Sequence, residues 1–118
     1  MTITIGCFSS LIGSLNLDFA VKLADAAIRK GHKVNLWFSG NATLIGIKDQ
    51  KPFKDYSNLS GRIKDLLEKG CEIAICEACA AARGINKGNA MEEVILIGMD
   101  WYTARAAISD RVLHIGRE

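Results

Sequence analysis

The sequence has little of what most readily reveals a function. It has one proline, Pro52, and two histidines among 118 residues. So little proline beside so many alanines suits regular helices and strands rather than disorder. Aromatic residues make up 7% of the chain, too few for a platform on which bases stack. A formal charge of +2 is too small to mark a nucleic-acid or anionic-membrane surface. No apolar run approaches the roughly 20 residues that a membrane helix needs. The start, Met1-Thr2-Ile3-Thr4-Ile5-Gly6, has no basic leader and alternates like a strand. A secretory signal is therefore not expected, and the chain reads as cytoplasmic. Gly6 and Gly13 are not followed by Gly-Lys-Ser/Thr, and three spaced glycines are missing, so neither a phosphate loop nor a dinucleotide fingerprint is present. No cofactor is implied.

What is there is ordinary globular material: 49% hydrophobic and 24% charged residues. The length fits one domain over 1–118, large enough for a core without staples. Thr2 to Phe8 reads as a first strand, with Ile3 and Ile5 on one face and Cys7 at its carboxyl end. A small polar loop, Ser9 to Asn16, follows. Asn16 is placed to cap a helix from Leu17 to Lys30, whose Leu17, Ala20, Val21, Ala24, Ala27 and Ile28 form one apolar stripe stopped by Gly31. His32 at the turn reads as a surface residue. Lys33 to Phe38 alternates as a second strand, closed by Ser39, Gly40 and Asn41. A short apolar piece, Ala42 to Ile47, leads into a polar loop from Lys48 to Asn58, basic through Lys48, Lys51 and Lys54. A loop of that length is either functional or a plain surface excursion.

Ser57 or Asn58 caps a helix through Lys69 that turns Leu59, Ile63, Leu66 and Leu67 inward and stops at Gly70. Cys71 opens a third strand as a packing residue. Glu93 to Met99 reads as an apolar fourth strand, Asp100 as the cap of a helix from Trp101 to about Ile108, and Arg111 to Ile115 as a fifth strand. Strand and helix alternate throughout. That order predicts an α/β fold, a three-layer α/β/α sandwich around a parallel sheet of about five strands.

The centre of this plan is Glu72 to Ile85. Ile73 to Ile75 is a buried-strand run, and from Cys76 the alanine-rich sequence turns helical until Gly84. Cys76 falls at the junction, on the strand-end edge where ligands collect in open α/β sheets. Backbone N–H groups and the positive end of a helix dipole face a sulfur there, the setting of a reactive thiol. The competing reading is a cysteine that fills space. Cys76-Glu77-Ala78-Cys79 is a Cys-x-x-Cys, and residues three apart share a helix face. The thioredoxin reading lacks a cis-proline candidate downstream. A structural zinc site needs four ligands, and of the other cysteines Cys7 is the one at a strand's carboxyl end, so no metal site is expected. Arg83 stands about 10 Å beyond Cys76 by helix rise and is expected to serve a surface or interface contact.

At these residues the chain resembles the DsrE/TusD-like (DsrE/DsrF-like) sulfur-relay family. Ile75-Cys76-Glu77-Ala78-Cys79-Ala80-Ala81-Ala82-Arg83-Gly84-Ile85 looks like that family's Ile-Cys-x-Ala-Ala-x-x-Arg-Arg-Gly-Val/Ile pattern. Asp110 to Leu113 resembles its closing strand, and Ala24 to Val34 its first helix and second strand. The resemblance implies a sulfurtransferase or sulfur carrier, in sulfur oxidation or tRNA thiolation, with Cys76 as the catalytic thiol that holds sulfane sulfur as a persulfide. It implies sulfur donor and acceptor carrier proteins as partners, and a homotrimer, a hexamer or a subunit of a hetero-hexamer. Cys79, Cys7 and Arg83 are possible auxiliaries. Cys79 stands where the pattern has alanine, and Ala82 where it has the first arginine. Two other readings stay open: a non-catalytic oligomeric subunit, and a Cys-x-x-Cys dithiol oxidoreductase.

Overall fold

A computed structural model describes residues 1–10, 15–51 and 58–117. Residues 11–14 of the first loop and 52–57 of the second, with Pro52, Phe53 and Lys54, lie outside the described residues. Among the described residues, five strands form one parallel sheet: β1 (Thr2–Cys7), β2 (Lys33–Phe38), β3 (Glu72–Cys76), β4 (Ile95–Ile97) and β5 (Arg111–Ile115), in the order β4-β3-β2-β1-β5. The α-helices among the described residues are α1 (Asn16–Arg29), α2 (Leu59–Glu68), α3 (Glu77–Ala82) and α4 (Asp100–Ile108). A 3₁₀ helix, Gly40–Gly46, follows β2. The predicted sandwich is present, with the sheet as its middle layer.

The strand period divides the chain between two faces. Ile5, Cys7, Val34, Leu36, Phe38, Ile73 and Ile75 point to one face, where they form the main core with α1, α2 and the 3₁₀ helix. A helix as short as the 14-residue α1 is marginal alone in water. Burying its Leu17 and Val21 contributes roughly 1.5–3 kcal/mol each and fixes it to the sheet. Asp18 bonds Arg62 at 2.7 Å and Asp25 bonds Lys69 at 2.7 Å, tying α1 to α2 along their outer rims.

The opposite face carries Thr4, Gly6, Asn35, Trp37, Ala74 and Cys76, and α4 covers it. Trp101 of α4 stacks on Trp37 at 6.1 Å between ring centres, and Tyr102 does so at 5.9 Å. Tyr102 lies so close to the backbone of β1 that a Cβ at Gly6 would overlap its hydroxyl. Arg105 lies over the Trp101 ring at 5.0 Å and bonds Glu72 at 3.0 Å, which anchors α4 to the start of β3. Ser109 gives its hydroxyl proton to the carbonyl of Arg105, so the Thr4 hydroxyl donates to Ser109 at 2.6 Å and accepts from Asn35 at 3.2 Å.

Two expected caps are not formed. Asn16 turns its amide to the Ser9 hydroxyl at 3.0 Å instead of closing α1, and Leu15 holds the cap position. Asp100 lies inside the first turn of α4, behind Met99. Asn58 does cap α2, accepting from the Gly61 N–H at 3.0 Å. The fourth strand is also shorter than the apolar run predicts. Only Ile95–Ile97 pairs with β3, because Met91 and Val94 are drawn into a turn against Gly46.

Candidate functional site

The site forms where β2 and β3 end side by side. Their last paired residues are Phe38 and Ile75, so Ser39 and Cys76 come one step beyond, at the carboxyl edge of the sheet. Cys76 is the hinge of the strand-to-helix junction: it ends β3 and caps α3 with an extended backbone. It shares the face of Ala74, so its side chain packs among Trp37, Ala74 and Trp101 and is only 8% exposed.

Cys79 lies one turn on, in the same direction as the spacing predicts, and is more open to solvent than Cys76. Four groups converge on its sulfur. The Ser39 hydroxyl stands at 3.7 Å. The backbone N–H of Gly40 and the Cys76 thiol also bond it, and Arg83 adds positive charge. Burial works against a thiolate here, but the Gly40 N–H, Cys76, Ser39 and Arg83 together outweigh it and hold Cys79 below its ordinary thiol value. Gly40 can aim its N–H inward because it takes a left-handed turn at φ 61°, a conformation that costs glycine nothing.

Arg83 is nearer the site than helix rise alone implies. α3 stops at Ala82, and Gly84 turns the chain left-handed at φ 75°. The guanidinium folds back over the helix end, where Nη1 donates to the Cys79 carbonyl at 2.9 Å and Nε to Asn41 Oδ1 at 2.8 Å. A helix of six residues has little stability of its own. This clamp joins α3 to the 3₁₀ helix and fixes Cys79 against Ser39 and Gly40.

Cys7 is not brought to Cys76. It ends β1 at the same sheet edge, but its side chain follows Ile3 and Ile5 into the main core, on the other face. It is fully buried, and burial pushes its thiol up to about 12. Cys71 packs in the same core near the opposite edge, as expected of a packing residue, and burial with the Glu72 charge pushes it likewise to about 12. Among the described residues, no group of three or more His, Cys, Asp and Glu side chains is placed to hold a metal ion. No helix among them is long and apolar enough to cross a membrane.

Sequence reasoning missed the part played by Ser39, Gly40 and Asn41, which it treated only as the close of a strand. The signal was their place: in a parallel sheet, the segment after one strand faces the end of its neighbour. The floor of the site is aromatic, and Trp37 Nε1 is a buried donor with no partner among the described residues.

Comparison with known proteins bears on the family and the fold. A family model described as DsrE/DsrF-like family matches residues 2–115. An uncharacterised protein of Methanocaldococcus jannaschii is 28% identical over 94 residues, covering 80% of this chain and 82% of that protein. Another from Methanopyrus kandleri is 27% identical over 94 residues, covering 80% of this chain and 77% of its own. Among solved structures, the ychN protein from E. coli superposes with a TM-score of 0.89 at 22% identity, covering 97% of this chain and 98% of that one. A Methanobacterium thermoautotrophicum protein of unknown function gives 0.76 at 11% identity, covering 96% and 97%. These two likenesses establish the fold.

Proposed function

The chain belongs to the DsrE/DsrF-like family, and from that premise we propose that it is a sulfur-relay carrier that holds sulfane sulfur as a persulfide on Cys76. The observation that carries this reading is the junction itself: Cys76 ends β3 at the carboxyl edge, with the donor-rich Ser39–Gly40 turn and a second thiol beside it. Loading is an exchange at sulfur. The Cys76 sulfur attacks the outer sulfur of a donor R–S–S⁻; a new S–S bond forms on Cys76, the donor's S–S bond breaks, and the proton of Cys76 leaves with R–SH. Delivery is the reverse exchange, with the thiol of an acceptor carrier attacking the terminal sulfur of the Cys76 persulfide. No redox cofactor is consumed, because sulfane sulfur passes between thiols unchanged in oxidation state.

The partners are a sulfur donor and an acceptor carrier, and the chain works as an oligomer of the trimer or hexamer class. Exposed apolar side chains on α4 and the edge strand β5 support assembly: Ile108 is 72% exposed and Val112 47%. Light scattering at micromolar concentration tests this, and a monomer would count against it. The carrier reading is tested by intact mass after brief incubation with inorganic polysulfide under anaerobic conditions. The wild-type chain gains sulfur that maps to Cys76. A Cys76→Ser chain that takes up the full sulfur load would overturn the assignment.

A further inference from the structure

The two thiols of the Cys-x-x-Cys differ in a way that a simple carrier does not need. Cys76 is closed in by Trp37, Ala74 and Trp101, while Cys79 is the more open of the pair. Cys79 also holds the donors: the Ser39 hydroxyl at 3.7 Å, the Gly40 N–H, and Arg83 fixed by its bonds to the Cys79 carbonyl and Asn41. Donors in that number favour a sulfur anion. Cys79 packs against the cluster that holds Cys76, and the Cys76 thiol is one of the groups that favour its anion. A sulfur that only filled a helix position would need none of these neighbours.

We infer that Cys79 is a resolving thiol, and that the site has a second activity: it reduces the persulfide on Cys76 and releases hydrosulfide. The inference rests on the carrier reading, because the persulfide on Cys76 is its substrate. The Cys79 thiolate attacks the Cys76 sulfur. The Cys76–Cys79 bond forms, the bond from Cys76 to its outer sulfur breaks, and the outer sulfur leaves as HS⁻. The balance is Cys76–S–SH plus Cys79–S⁻ giving Cys76–S–S–Cys79 plus HS⁻. The sulfane sulfur gains two electrons, and the two cysteine sulfurs supply them. A dithiol reductant resets the pair: its own two thiols become a disulfide as Cys76 and Cys79 return to thiols. Sulfur on Cys76 therefore has two exits. An acceptor thiol that arrives in time takes it as sulfane sulfur; otherwise Cys79 discharges it as sulfide. The balance between them is set by how firmly Ser39, Gly40 and Arg83 hold Cys79.

The test loads the full-length protein with inorganic polysulfide in the absence of oxygen, removes the excess, and follows sulfide release and intact mass. The wild-type chain should lose its sulfur as sulfide and finish two hydrogens lighter than the reduced protein, with Cys76 and Cys79 in one disulfide-linked peptide that dithiothreitol reopens. Cys79→Ala, once loaded, should keep its sulfur, with release slowed at least about tenfold. Ser39→Ala, which keeps both cysteines, should slow release less and move its pH dependence upward. If loaded wild-type protein holds its sulfur as long as Cys79→Ala does, the resolving role is wrong while the carrier stands. If wild-type protein gains no sulfur, both fall. Should Cys79→Ala fail to fold, the disulfide peptide and the Ser39→Ala pH profile decide, and absence of that peptide after sulfide release overturns the inference.

Discussion

The Ser39 hydroxyl lies 3.7 Å from the Cys79 sulfur, across the seam where β2 and β3 end. The two residues are 40 positions apart, so only the parallel pairing of those strands brings them together. Replacing Ser39 by alanine removes a donor that opposes the burial penalty on Cys79, and the thiol's value should rise. The iodoacetamide reactivity of Cys79, read by peptide mapping against pH, should shift to higher pH. At neutral pH its rate should fall about three- to tenfold. An unchanged profile would show that the hydroxyl does nothing for the thiol.

Arg83 acts through position as much as charge. Arg83→Ala loses both the bond to Asn41 and the bond that closes α3 over the Cys79 carbonyl. Because the guanidinium is exposed, the cost in global stability should be small, about 1 kcal/mol or less in a urea titration. The local effect should be larger: Cys79 reactivity falls, and amide exchange across Glu77–Ala82 speeds up. Lysine at 83 should not restore it, since one ammonium cannot span two acceptors with a planar fork.

Gly6→Ala tests the close approach of α4 to β1. The added methyl would overlap Tyr102, whose ring is held by stacking on Trp37. Overpacking of this kind costs roughly 1–3 kcal/mol. Tyr102→Phe in the same chain should recover little, because the ring carbon Cζ, 2.5 Å from the added methyl, remains. Equal midpoints for wild type and Gly6→Ala in urea would mean that α4 sits further from the sheet.

The buried thiols make stability depend on pH in the alkaline range. Burial pushes Cys7 and Cys71 up to about 12 in the folded chain, whereas an unfolded thiol titrates near about 8.5. Between those values the unfolded chain has lost protons that the folded chain keeps. The contribution is whole below about pH 8.5 and is lost as pH rises toward about 12. Urea midpoints should therefore fall steeply above about pH 9. A Cys7→Ala, Cys71→Ala chain should start less stable and fall less steeply. Lys69, held up by its bonds to Asp25 and Asp65, and the half-buried Tyr102 keep some slope in both.

Much of the fold was legible in the sequence because the strand and helix periods are clean. Arg111–Ile115 forms β5 as predicted, and the apolar stripe of α1 faces the core. What failed was local competition. Asn16 has the side chain of a cap but finds Ser9, and Val94 has the side chain of a strand but is spent in a turn. The site was legible in one dimension only. Spacing put Cys76 at a strand end and Cys79 on its side of the helix. It could not count the faces of separate strands against each other, so Cys7 was left open as a neighbour. Nor could it foresee that Arg83 reaches back to the Cys79 carbonyl and across to Asn41, because that depends on where α3 stops.

The alternation of β1 and β3 has a chemical consequence. With Cys7 and Cys71 in the core on one face and Cys76 and Cys79 beside the other, the sheet acts as a partition between two thiol compartments. A reagent that arrives at the strand-end edge meets Cys79 first, while the fully buried Cys7 lies across the sheet and Cys71 near the opposite edge. Scrambling among the four sulfurs requires unfolding. The two thiols that fill the core are thereby kept apart from the two at the strand-end edge.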